Sequence, residues 1–170
     1  MGIIELGGCC EHAPRNAHLP LVDDCGFNSQ ERALLDVIRY LCCGLAAPGY
    51  DGLRKAIDRA RQEWTGPESA RIVPRLERIL RLIAAARAHA FDFMVPDCPV
   101  CRRRICLSEL QIILLLREGR RGASGRLTTA AQLVVGSGRP DSLKLAVREL
   151  AGLLDATGSR PHTHGTRTLH

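Results

Sequence analysis

Apolar residues along this chain recur at intervals of three and four, the spacing of one helix face, and no segment shows the alternation of a half-buried strand. Few aromatic and β-branched residues reinforce the preference for helix. The first helix begins after Asn28, an N-cap with Glu31 at the capping-box position, carries Leu34, Ile38, Leu41 and Leu45, and stops near Ala46 before Pro48 and Gly49. A second runs from about Asp51 to Trp64, striped by Leu53, Ile57, Ala60 and Trp64, and Gly66-Pro67 ends it. A third covers about Pro67 to Ala90 with Val73, Leu76, Leu80 and Ile83; Pro74 kinks it or supplies its true first turn. A fourth is capped by Ser108 with Gln111 in the box position and a Leu107/Ile112 staple, and its Leu110 to Leu116 run, apolar nearly all round, predicts the most buried helix. After a loop at Arg120 to Gly125 come a short fifth helix, Leu127 to Val135, and a sixth from Pro140 to Ala156 with Leu143, Val147, Leu150 and Leu154.

The predicted class is therefore all-α with about six helices. The organisation reads as an irregular N-terminal arm over 1–27, a single helical domain over 28–156 and a flexible tail over 157–170. Within the domain, 28–90 forms one three-helix half, 97–106 a cysteine knuckle and 107–156 a second half. The halves are alike in outline: Asn28 and Glu31 match Ser108 and Gln111, and Pro67-Glu68-Ser69 matches Pro140-Asp141-Ser142. That is a pseudo-repeat, or chance similarity in a chain rich in Leu, Ala and Arg. A chain of 170 residues buries roughly 70% of its unfolded surface, enough for a core without staples. The longest apolar run, Ile112 to Leu116, is far short of the roughly 20 residues of a membrane span. The opening MGIIELGGCC has no basic start and no long apolar stretch, and Leu6 stands where a myristoylation signal wants Ser or Thr. A cytoplasmic location is expected.

Eight cysteines without a secretory signal read as reduced thiols or metal ligands. Cys98-x2-Cys101 places two thiols on one tight turn, and Cys106 can close on the same ion from the start of the next helix, as a tetrahedral zinc would require. The expected cofactor is a structural zinc held by Cys98, Cys101, Cys106 and His89, with Asp97, Cys25 or the Cys9-Cys10-His12 group as other fourth ligands. Arg102, Arg103 and Arg104 are expected to favour thiolate there. The alternative is a set of half-buried thiols in a turn. Thioredoxin-like chemistry needs a strand before its CxxC, and an iron–sulfur cluster needs a fourth nearby cysteine. Cys42 and Cys43 fall on a helix stripe as core filling or as a thiol pair open to oxidants.

Basic residues total 24 against 18 acids, and Lys55 and Lys144 are the lysines among them. Seven arginines and two acids, Glu109 and Glu118, lie between Cys98 and Arg126. Such a stretch is either a solvated face or a surface that grips carboxylate or phosphate. It has no aromatic residue for stacking on single-stranded nucleic acid. Nucleotide-loop, zinc-protease and hydrolase-elbow motifs do not occur. The expectation is a non-enzymatic regulatory or adaptor protein that binds an acidic protein partner through Arg102, Arg103, Arg104, Arg117, Arg120 and Arg121, with a homodimer in view. The rival is a DNA-binding transcription regulator that presents Arg139, Lys144 and Arg148 on helices near 128–150 to duplex DNA, after a loose helix-turn-helix likeness. A cysteine-based redox sensor is the second alternative.

Overall fold

The computed structural model describes residues 18–47, 49–87, 91–136 and 138–159. Residues 1–17 of the expected arm, His89 and residues 160–170 of the expected tail lie outside them. The fold is all-α with six helices: α1 (Ser29–Ala46), α2 (Gly52–Glu63), α3 (Ile72–Ala86), α4 (Leu107–Arg121), α5 (Ser124–Val135) and α6 (Asp141–Ala156). No helix among the described residues is long and apolar enough to cross a membrane.

Local chemistry sets most helix ends. Asn28 accepts from the Glu31 N–H at 2.9 Å while the Glu31 carboxylate accepts from the Asn28 N–H at 3.1 Å, the reciprocal cap read from the sequence. Pro67 opens a 3-10 turn (Pro67–Arg71) that leads into α3, so Pro74 sits in the first turn of α3, where its missing N–H has no helical partner to lose. The cap of α4 differs from expectation. Cys106, not Ser108, is the N-cap, and Glu109, not Gln111, closes the box, because the Glu109 carboxylate reaches the Cys106 N–H at 3.1 Å. Gly122 in the left-handed region then ends α4, and α5 starts three residues earlier than the periodicity indicated.

One continuous apolar core runs through both presumed halves, from Leu34 and Ile38 on α1 to Leu150 and Leu154 on α6. α1 packs chiefly on α2, and α3 packs chiefly on α6, across the supposed boundary. The first pair is close because of Gly52: a Cβ there would stand 2.2 Å from the Tyr40 carbonyl oxygen. The central helix is α1, with ten of eighteen residues buried, while α4 exposes Leu107 and Leu114. On α2 the buried face is Gly52, Ala56, Ala60 and Glu63, and the expected Leu53 faces out. Small residues on that face let α1 approach.

Both ends of the domain extend past the expected limits. Residues 18–27 pack onto the body through buried Val22 and Phe27, and the Ile105 N–H donates to the Pro20 carbonyl at 3.1 Å. After α6, the backbone of Gly158–Ser159 pairs antiparallel with Trp64–Thr65, so 157–159 belongs to the folded body rather than to a tail.

Candidate functional site

The cysteine segment is held from below by an ion pair that the sequence did not announce. Arg39 of α1 and Glu109 of α4 are both fully buried, with Nε to Oε1 at 2.7 Å and Nη2 to Oε2 at 3.0 Å. Arg39 Nη1 also donates to the Arg102 carbonyl at 2.9 Å, and Nη2 donates to the Arg104 carbonyl. Glu109 accepts in addition from the Met94 N–H at 2.9 Å and from the Cys106 N–H. Two desolvated charges are tolerable because nearly every donor and lone pair is matched. The network ties the 91–106 segment to α1 and α4.

Of the expected metal set, Cys98, Cys101 and Cys106 lie among the described residues and His89 does not. Among the described residues no three His, Cys, Asp or Glu side chains converge on a position for one ion. Cys106 is otherwise engaged: its Sγ donates to the Asp92 carbonyl at 3.2 Å and accepts the helix-capping N–H of Glu109. Burial and the facing Glu109 carboxylate push its thiol up to about 12, opposite to the thiolate expected beside three arginines. Cys98 accepts from the Cys101 N–H at 3.5 Å, and Met94, Cys98, Cys101 and Cys106 form a small apolar cluster apart from the main core. Of the proposed other ligands, Asp97 is bound by Lys55 and Tyr50 instead. Among the described residues these donors do not make a closed zinc site, and His89 and the Cys9-Cys10-His12 group lie outside them. Burial likewise raises the Cys42 thiol well above its ordinary range and Cys43 to about 11, which disfavours the thiolate form of either.

The six arginines expected on one surface fall into two groups at opposite ends of α4, roughly 20 Å apart along a helix of this length. At the C-terminal end, Arg117 makes a bidentate pair with Glu31 at 2.6 and 2.9 Å, and Arg120 meets Asp155 and Gln30. Arg121 pairs with Glu118 one turn back. Arg117 and Arg120 fasten α4 to α1 and α6. At the N-terminal end, Arg104 donates to the Leu19 carbonyl at 2.6 Å and holds residues 18–21 on the loop. Arg102 and Arg103, on a 3-10 turn (Cys101–Arg103), are exposed and make no ion pair among the described residues.

Those two side chains border a cleft of about 670 Å³ between α1, the Val22–Cys25 turn and the cysteine loop. Its walls carry Arg32, Arg39, Arg59, Arg102 and Arg103 against Asp23 and Asp36. Arg32 holds Asp23 at 2.5 Å and Arg59 holds Asp36 at 2.9 Å. The Arg32 guanidinium lowers the Asp23 carboxyl below its usual range, with a smaller contribution from Arg103. After this pairing the cleft keeps a positive excess at Arg102 and Arg103. A run of three arginines was legible in sequence; the acids that leave two of them free were not, because they come from 23 and 36.

The residues assigned to DNA lie on or just before α6. α6 packs chiefly on α3 and α4 rather than on α5, so the two helices are not the mutually packed pair of a helix-turn-helix. Lys144 pairs with Asp141 at 2.8 Å, and Arg148 donates to Ser124 at 3.2 Å. The exposed stripe of α6 mixes Asp141, Leu145, Arg148 and Asp155, and Arg139 precedes it.

Compared with protein-family models, curated proteins and solved structures, the chain matches none.

Proposed function

We propose that this protein is a non-enzymatic binding module that captures an acidic segment of a protein partner in the cleft bordered by Arg102 and Arg103. The observation that supports it most is the contrast in how the chain uses its arginines. Arg39 is buried beneath the loop, Arg32 and Arg59 are neutralised on its walls, and two guanidiniums remain exposed on a backbone pinned by Arg39. A pinned loop presents its cations with little ordering cost, which favours affinity. Binding fits better than catalysis, since both carboxylates lining the cleft are held as ion pairs and neither is poised as a base.

The test is capture from an extract of the native cells at matched salt, with wild type, the Arg102→Gln/Arg103→Gln double variant and Arg121→Gln as an exposed control. The double variant is expected to lose partners mainly through slower association, with the control unchanged. Equal recovery by wild type and double variant refutes the reading. Duplex DNA in the wild-type eluate, released steeply by salt, replaces it with the DNA-binding reading.

A further inference from the structure

The basic cleft holds a third guanidinium whose pairing is conditional. Arg32 and Arg59 both line it and both meet a carboxylate of the cleft wall, Arg32 with Asp23 at 2.5 Å and Arg59 with Asp36 at 2.9 Å. The two pairs differ in what backs them. Arg59 also stands 3.7 Å from the buried Glu63 carboxylate, so loss of Asp36 leaves it neutralised. Arg32 has Asp23 as its one carboxylate partner among the described residues, and its Nε donates to the Phe27 carbonyl at 3.2 Å, which anchors one edge of the guanidinium independently of Asp23. Asp23 is the more exposed partner, with its side chain 69% exposed against 39% for Arg32. It rides on the Val22–Cys25 turn, and Arg103 lies near enough to lower its carboxyl together with Arg32. An exposed carboxylate in the field of a wall arginine and a loop arginine occupies ground that an acidic ligand would take.

We propose that Asp23 is a displaceable stand-in for the ligand, and that the acidic segment bound in this cleft carries at least two neighbouring carboxylates, one for Arg102 and Arg103 and one that takes the place of Asp23 on Arg32. This rests on the reading of the cleft as the site for an acidic segment. Exposed ion pairs are individually weak, so the Asp23–Arg32 pair costs little to exchange. A lone carboxylate over the loop arginines meets the Asp23 charge, and repulsion between like charges offsets part of its gain. A second carboxylate reverses that sign: it releases Asp23 to solvent and turns Arg32 into a third cation for the ligand. With Nε committed to Phe27, the Nη1 and Nη2 edge of Arg32 is the one that can grip an incoming carboxylate in bidentate fashion.

The test is binding of a rhodamine-labelled, amidated peptide, three consecutive glutamates in a glycine–serine frame, to the full chain by fluorescence anisotropy at fixed low salt, with circular dichroism to confirm that each variant is folded. Wild type is expected to bind it, and Arg102→Gln/Arg103→Gln to weaken that binding. Asp23→Asn is expected to tighten it by about two- to fivefold, the range of one exposed ion pair. Asp36→Asn makes the same change of net charge in the same cleft and is expected to leave binding nearly unchanged, because Arg59 keeps Glu63. Adding Arg32→Gln to Asp23→Asn is expected to take the gain away, and to matter less for a peptide with a single glutamate. Binding that needs Arg102 and Arg103 but is no tighter in Asp23→Asn overturns the stand-in role and leaves the reading of the cleft intact. So does an equal gain from Asp36→Asn, which marks a general effect of charge. Equal loss from Arg32→Gln for both peptides overturns the requirement for two carboxylates. Peptide binding that Arg102→Gln/Arg103→Gln does not weaken, or no binding by any variant, overturns the reading of the cleft and this inference with it.

Discussion

The two ends of α4 are both rich in arginine and use it in opposite ways. At the C-terminal end the side chains are consumed: Arg117 by Glu31, Arg120 by Asp155 and Gln30, Arg121 by Glu118. At the N-terminal end the backbone is consumed. The carbonyls of Arg102 and Arg104 accept from buried Arg39, and the side chains of Arg102 and Arg103 remain free over a cleft. Equal density of positive charge in sequence thus separates into a clamp and a display. The decisive factor is where the acids lie, since Arg117 and Arg120 meet acids from α1 and α6 and Arg121 one from α4 itself.

The most severe way to break the comparison is to remove the cation under the display. Arg39→Ala leaves Glu109 as an unpaired buried charge and frees two loop carbonyls, and it is expected to destabilise the protein by about 3–5 kcal/mol. Denaturant unfolding checks this, and a change under about 1 kcal/mol would show that the loop stands without the network. Arg39→Met, which fills the volume without completing the bonds, is expected to remain destabilising for the same reason.

Within α4 itself, neighbouring leucines give the next largest contrast. Leu115 is fully buried, so Leu115→Ala is expected to cost about 2–5 kcal/mol. Leu114 lines a groove between α4 and α5 and is 39% exposed, so Leu114→Ala is expected to cost well under half as much. Similar shifts in denaturant midpoint for the two would place Leu114 in the core and remove the groove.

These leucines show why some features were readable and others not. Helix number, class and the Asn28–Glu31 cap depend on neighbours along the chain, and all were legible in local spacing. Leu114 was misjudged because a run of apolar residues does not say which of them face a neighbour. Arg39 and Glu109 sit 70 residues apart, and a buried ion pair looks in sequence like two solvated charges. At the expected zinc site the spacing of the three cysteines suits an ion, while among the described residues the Cys106 sulfur serves a helix cap and His89 lies outside them.

The clamp end carries a pH signature. Burial alone would raise the Glu31 carboxyl, but the Arg117 guanidinium and the Asn28 N–H outweigh it and hold it below its ordinary 4.5. A depressed folded value means that the stabilisation is present above the unfolded value and is lost as pH falls through the folded one. Stability is therefore expected to drop below about pH 4.5, with Glu31→Gln less stable at neutral pH and flatter on acidification. Parallel acid-dependence curves for wild type and variant would detach the clamp from this carboxylate.

The smallest expected effect on stability falls at the display end, and there the smallness is informative. Arg102 and Arg103 are exposed and make no ion pair among the described residues, so the Arg102→Gln/Arg103→Gln variant is expected to unfold within about 0.5 kcal/mol of wild type. Arg117→Gln, which breaks a bidentate pair and leaves buried Glu31 without its cation, is expected to exceed that by about 1 kcal/mol or more. The order matters because exposed arginines that hold nothing leave the fold without a reason for their position. If the double variant is as stable as wild type while Arg117→Gln is weakened, the N-terminal pair is free for a partner and the C-terminal group is structural. The reverse order would make the loop arginines part of the clamp, and the acidic partner would lose its docking site.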